Sequence, residues 1–189
     1  MDFSEGIDKY LRTLLDVMSH VDRRDINCLL EQVLAAYESD RMIFVCGNGG
    51  SGSTATHLAQ DWNKGLGYGR QKRIKVLSLT DNAPIIMAYA NDVNYDAVFV
   101  EQLKNFAKLD DLVIGISGSG NSKNVLDAVE YANGIGAVTF GLCGYDGGRL
   151  AKIARHAIVV PGDMQRAEDL HLIINHIVYR CLIDHVDKS

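Results

Sequence analysis

Apolar positions near the start of the chain recur at intervals of three and four. Ile7, Leu11, Leu14, Leu15, Met18 and Val21 form one stripe, and Ile26, Leu29, Leu30, Val33 and Leu34, beginning from about Asp25, form a second. That spacing predicts two amphipathic helices. After Asp40 the pattern changes to short apolar runs separated by glycine-rich turns and helical segments: MIFVC (42–46), IKVLSL (74–79), LVIGI (112–116), AVTFGL (137–142) and AIVV (157–160). Near-continuous apolar runs in βα alternation read as parallel strands buried on both faces. From about 165 to 186 the helical period returns and closes the chain. The predicted fold is therefore α/β: a five-stranded parallel doubly wound sheet with two N-terminal helices and a long C-terminal helix. It forms one domain over 1–189, with a helical pair at 1–39 and an α/β core at 40–189. The two leading helices carry nothing chemical and must bury their stripes, for which a partner subunit is the natural candidate.

Composition narrows the class without changing that picture. At 47% hydrophobic and 23% charged residues the chain matches globular proteins and excludes disordered and fibrous ones. A net charge of −5 with no basic run argues against a nucleic-acid or anionic-membrane partner. The apolar runs fall well short of the ~20 residues that span a bilayer. The opening MDFSEGIDKYL lacks the basic and apolar regions of a secretory leader, so a cytoplasmic location is expected. Cys28, Cys46, Cys143 and Cys181 include no close pair, which excludes a zinc ribbon or redox CxxC and predicts small buried apolar residues.

In open α/β sheets ligands sit outside the carboxyl ends of strands, which singles out the loops after the first and third runs. The first reads GNGGSGS (47–53) and the second SGSGNS (117–122). Small residues let backbone N–H groups approach a ligand, the following helix presents its positive end, and Ser117, Ser119 and Ser122 add hydroxyl donors. Together the loops describe a phosphate cradle; tight turns without a ligand would not need two such loops at one sheet edge. Gly47, Gly49 and Gly52 formally satisfy G-x-G-x-x-G, but the nearest suitable acid, Asp81, lies well beyond the ~20-residue spacing of a ribose partner, and no GxxxxGK[ST] occurs.

Beyond the first loop, His57 and Asp61 are four apart and share one helix face. The last helix carries Glu168, Asp169, His171 and His176 among Leu170, Leu172, Ile173, Ile174 and Ile177. A carboxylate and an imidazole converging beside a phosphosugar suit the proton shuttling that interconverts aldose and ketose. The same residue types are ligands for a borderline cation such as zinc. Glu168 and His176 are eight apart, about 12 Å along an ideal helix, so joint ligation of one ion would need the helix start to bend. His20, His156 and His185 stand outside any such pattern.

Several blocks in order carry a resemblance over nearly the whole chain: CGNGGSGSTATHLAQD (46–61), SLTDNAPIIMAYANDVNYDAVFVEQL (78–103), GISGSGNSKNVLDAVEYA (115–132), GLCGYDGGRLA (141–151) and the terminal helix. The chain resembles the sugar isomerase (SIS) fold, which is flavodoxin-like, and within it the phosphoheptose isomerases, which convert sedoheptulose 7-phosphate to D-glycero-D-manno-heptose 7-phosphate for heptose precursors. The resemblance implies a phosphate site at Asn48, Gly49, Gly50, Ser51, Ser117, Gly118, Ser119 and Ser122, with Gly118 where threonine is common, and sugar contacts from Asn48, Asp92 and Glu168. It implies Asp61 as catalytic base and His176 as acid, and one zinc ion per subunit on His57, Asp61, Glu168 and His176, with no organic cofactor. It also implies a homotetramer with sites between subunits. The sequence departs from the family at Asp61, where glutamate is usual, at Glu168, where glutamine is usual, and at 63–65, NKG, where Gly-Arg usually follows the base. TDN (80–82) and GYDGG (144–148) resemble a second branch too, a non-catalytic SIS protein that associates with a replication initiator. An isomerase of a different phosphosugar is the third expectation.

Overall fold

The computed structural model describes residues 1–188. Two helices, α1 (Ser4–Ser19) and α2 (Arg23–Glu38), precede a βα-alternating core of β1 (Met42–Gly47), α3 (Gly49–Gly65), β2 (Lys75–Ser78), α4 (Ala83–Asp92), α5 (Ala97–Phe106), β3 (Leu112–Ser117), α6 (Lys123–Gly134), β4 (Val138–Gly144), α7 (Leu150–Ile153) and β5 (His156–Val160). The chain closes with α8 (Met164–Val186). All five strands are parallel, in the order β2-β1-β3-β4-β5. That order reverses direction between β1 and β3, so their carboxyl ends flank the crevice where doubly wound sheets bind ligands.

Helices cover both faces of the sheet. On one face Leu29 and Val33 of α2, Leu58 and Trp62 of α3, and Leu170, Ile174 and Val178 of α8 pack against Ile43, Val45, Ile114, Phe140 and Ile158. On the other, Val98, Phe99 and Leu103 of α5 and Val125 and Val129 of α6 pack against Phe44, Val113 and Leu79. β3 is buried throughout, as its apolar run predicts. β2 departs from the expectation of strands buried on both faces: it is an edge strand, and Lys75 is exposed on it and salt-bridged to Asp40. A charged edge discourages pairing with another sheet.

The second helix starts earlier than its apolar stripe predicts because Asp22 caps it, accepting from Arg24 N at 2.8 Å. The cysteine expectation holds for Cys46 and Cys143, which are buried, but Cys28 is half-buried and Cys181 lies exposed on α8. Cys28 still packs against the edge of the core, whereas Cys181 lies on the outer side of α8. Among the described residues no helix is long and apolar enough to cross a membrane.

α1 departs most from an ordinary surface helix. Val17 is its one buried residue. Ile7, Leu11, Leu15 and Met18 stay 58%, 52%, 60% and 42% exposed, and Phe3 at the helix start 66%, so most of the stripe read from the sequence faces away from this chain's own core, while Leu14 and Val21 pack against it.

Candidate active site

The cradle is built where β1 and β3 end. Gly47 must be glycine because a Cβ there would lie 2.7 Å from the Ser51 backbone, which folds back directly over it. α3 then begins at Asn48 without a side-chain cap, and α6 begins at Ser122 in the same way. By contrast Asp22, Asn82 and Asp163 cap α2, α4 and α8. Neither helix that starts at the cradle is capped by its own N-cap side chain, and although Val125 N donates to Asn124 Oδ1 at 3.0 Å in α6, the N–H groups ahead of it stay free of side-chain caps, which suits an anion.

Asn48 cannot cap α3 because its amide is committed elsewhere. Its Nδ2 donates to Asn124 Oδ1 at 2.8 Å, Asn124 Nδ2 donates back at 2.9 Å, and Tyr95 Oη donates to Asn48 Oδ1 at 2.9 Å. Ser122 is likewise occupied, its hydroxyl 3.0 Å from Ser117 Oγ, with Ser119 Oγ 3.5 Å from Ser117. These loops line a cavity of about 300 Å³ bounded by Asn48, Gly49, Gly50, Ser51, Ser117, Gly118, Ser119, Ser122, Glu168, Ile116 and Met164. Met164 Sδ fills the space over Gly118; a Cβ at 118 would lie 2.4 Å from it. A second, more open recess of about 490 Å³, lined by Gly49, Ser53, Thr56, His57, Gln60 and Thr80, adjoins the same helix start.

Two turns along α3, His57 and Asp61 meet His176 of α8. Asp61 Oδ2 lies 3.1 Å from His57 Nε2 and 3.6 Å from His176 Nε2, and the two imidazole nitrogens are 3.3 Å apart. Asn175 Nδ2 donates to the same carboxylate oxygen at 3.2 Å. The Asp61 side chain is 16% exposed, while His57 and His176 are 41% and 51% exposed, so the group opens to solvent on its histidine side. Two ring nitrogens this close carry facing lone pairs unless a proton or a cation lies between them. One atom from each of the three side chains falls within 4.8 Å of the others, a donor set of two imidazoles and a carboxylate that fits zinc with a position left for water or substrate.

Glu168 does not join this trio. α8 is continuous from Met164 to Val186, without the bend that joint ligation with His176 would need. Its carboxylate instead packs on Gly50, where a Cβ would meet Oε1 at 2.3 Å, and so forms part of the cradle wall. Asp92, expected at the sugar, is exposed at the end of α4, accepts from Asn91 Nδ2 at 2.8 Å and is not among the residues lining the cradle. His171 is fully buried, its Nε2 3.1 Å from the Cys143 carbonyl; burial pushes its pKa down to about 4, against the opposing effect of that backbone contact. It is therefore a neutral anchor of α8 on β4. Burial pushes the Cys46 and Cys143 thiols up to about 12, which removes both as nucleophiles. Asn124, Tyr95, Met164 and Asn175 complete the site without any sequence signal, being an amide, a phenol and a thioether in otherwise ordinary helices and loops.

A glycine- and serine-lined anion cradle at the switch point of a parallel sheet, with an acid–base cluster two turns away, defines a phosphosugar-handling α/β domain. The model of the SIS domain matches residues 9–144. A phosphoheptose isomerase of Helicobacter pylori (strain P12) is 35% identical over 182 residues, 96% of this chain and 90% of that protein. One from Geobacter metallireducens is 37% identical over 181 residues, 93% of this chain and 94% of its own. In three dimensions, the phosphoheptose isomerase of Neisseria gonorrhoeae superposes with a TM-score of 0.89 at 27% identity, covering 97% of this chain and all (100%) of the other. The chain belongs to the phosphoheptose isomerase family of SIS-domain proteins.

Proposed function

We propose that this protein is an aldose–ketose isomerase that converts sedoheptulose 7-phosphate to D-glycero-D-manno-heptose 7-phosphate through an enediol. The observation that carries this reading is the convergence of Asp61, His57 and His176 beside the phosphate cradle. Gly50 and His57 are seven residues apart on α3, about 10 Å at ~1.5 Å per residue. A seven-carbon sugar phosphorylated at its far end bridges that gap, its carbonyl end at the trio and its phosphate at Ser51, Ser117, Ser119, Ser122 and the free N–H groups of α3 and α6.

Asp61 removes the proton from the carbon beside the carbonyl and returns it to the neighbouring carbon, while His176 moves the proton between the two oxygens. Asn48, held by Asn124 and Tyr95, forms a fixed part of the cradle lining. A zinc ion held by His57, Asp61 and His176 would supply Lewis-acid polarisation of the carbonyl. Glu168 serves as a cradle wall and substrate contact. Asp92 would reach a sugar only from a second subunit, in a homotetramer held by the N-terminal helices whose sites lie between chains. A phosphorylated substrate suits a cytoplasmic enzyme.

The test incubates the purified protein with sedoheptulose 7-phosphate, with and without added zinc, alongside Asp61→Asn and His176→Ala. Turnover by wild type and failure of both variants supports the reading. Binding of the phosphosugar with no turnover would move a non-catalytic sensor of phosphosugars, or an isomerase of another phosphosugar, ahead of it.

A further inference from the structure

Asn175 sits in the buried stripe of α8, 1% exposed and between Ile174 and His176, where, His171 apart, the buried positions are apolar. Its Nδ2 donates to Asp61 Oδ2, and its Oδ1 is buried with no hydrogen-bond partner. The reverse rotamer of the amide would aim oxygen at a carboxylate, so the chemistry fixes which end faces Asp61. A buried amide with an unpaired acceptor weakens a fold relative to an apolar side chain of the same branched shape. The position is therefore poor for stability, and its one made hydrogen bond goes to the carboxylate of the acid–base cluster.

We propose that Asn175 is a positioning residue for Asp61: it fixes Oδ2 of the short aspartate side chain toward His57 and His176. Asp61 Oδ2 is shared among three neighbours, and the two histidines lie on the solvent-exposed side of it. Of these three, Asn175 is the buried one. Without it the carboxylate is free to rotate toward water, away from both imidazoles. Asn175 and His176 are consecutive on one helix, so the same backbone segment that carries the acid also orients the base.

The inference rests on the isomerase reading for its kinetic arm, and a metal-affinity arm stands apart from that reading. Asn175→Leu, which keeps the branched shape and removes the donor, is compared with wild type, with Asn175→Ala and with Asp61→Ala alone and combined with Asn175→Leu. The expected result for Asn175→Leu is a kcat at least tenfold lower, KM within twofold of wild type, and a melting temperature unchanged or higher. Zinc affinity, read by competition with a chromophoric chelator, is expected to fall at least threefold on Asn175→Leu, and the same substitution is expected to change nothing in the Asp61→Ala background. Asn175→Ala should show the same kcat loss with a lower melting temperature. A wild type that binds zinc but turns over no heptose phosphate removes the isomerase reading and leaves the zinc coupling to decide. The proposal is overturned by kcat and zinc affinity within twofold of wild type, by an activity loss that follows only the unfolded fraction, or by equal zinc effects in both backgrounds.

Discussion

Glu168 places a carboxylate in the wall of a site built for an anion. The cradle gains from the N-termini of α3 and α6, and a negative charge packed on Gly50 offsets part of that gain. At the separations of a cradle this size, partly open to water, repulsion of a phosphate is on the order of 1 kcal/mol, roughly fivefold in affinity. Glu168→Gln is therefore expected to lower KM for a heptose 7-phosphate about fivefold at low ionic strength, with a smaller effect at high salt. An unchanged or raised KM in steady-state assays would show that Glu168 serves the substrate as a hydrogen-bond acceptor instead. His171 yields a prediction of a different kind. Its pKa is about 4 in the folded chain against an ordinary 6.5, so the unfolded state takes up the proton first as pH falls. Stability from this residue is complete above pH 6.5, is lost as pH falls through that window, and levels off below pH 4. The full loss is about 3 kcal/mol. Urea midpoints measured from pH 7 to pH 4 should fall accordingly, and His171→Gln should flatten that acid limb.

At the scale of elements, the cradle depends on two loops held against each other. Gly120 has φ +65°, and a Cβ there would lie 2.1 Å from the Gly147 carbonyl oxygen, while its own carbonyl accepts from Leu150 N at 2.8 Å. The loop after β3 is thereby locked onto the loop after β4. Gly120→Ala is expected to destabilise the fold by more than ~1 kcal/mol and to raise KM by displacing Ser119 and Ser122, readable by thermal melts and by steady-state kinetics. The same elements show what the sequence could reveal. Strands β1, β3 and β4 were legible because burial on both faces leaves a continuous apolar run. The edge character of β2 was not, since it depends on which strand lies outside it. Cradle residues were legible as clusters of glycine and serine after strands, and His57 and Asp61 through their helical spacing. Asn124 and Asn175 were invisible because each acquires its role from a partner far along the chain, Asn48 at a separation of 76 residues and Asp61 at 114. Glu168, which only the resemblance assigns to the metal, lies on a continuous α8 and packs on Gly50.

For the whole molecule, the unresolved demand is the apolar face of α1. An amphipathic helix with one buried residue of its own gains little from this chain's core, and isolated helices of this length are marginal in water. Tyr10 Oη donates to Asp169 Oδ2 at 2.6 Å, the Arg166 guanidinium stacks 3.8 Å over the Tyr10 ring, and Val17 and Leu14 pack on the core, so α1 is tethered beside the start of α8 while most of its stripe points outward. The stripe continues into an apolar groove of about 550 Å³ bounded by Leu15, Met18, Ile26, Leu170, Ile173 and Ile177. Ile177 adjoins His176, so a subunit packed there reaches the edge of the acid–base cluster. In the proposed homotetramer Leu11→Glu combined with Leu15→Glu would bury two carboxylates without partners, a cost of several kcal/mol that an interface of ordinary size does not absorb. The expected outcome in light scattering after gel filtration is a shift from four chains to the mass of one. Activity should fall with it if, as proposed, Asp92 of the partner subunit completes the site. Dissociation with full activity per chain would instead confine the catalytic machinery to the residues that one chain already brings together.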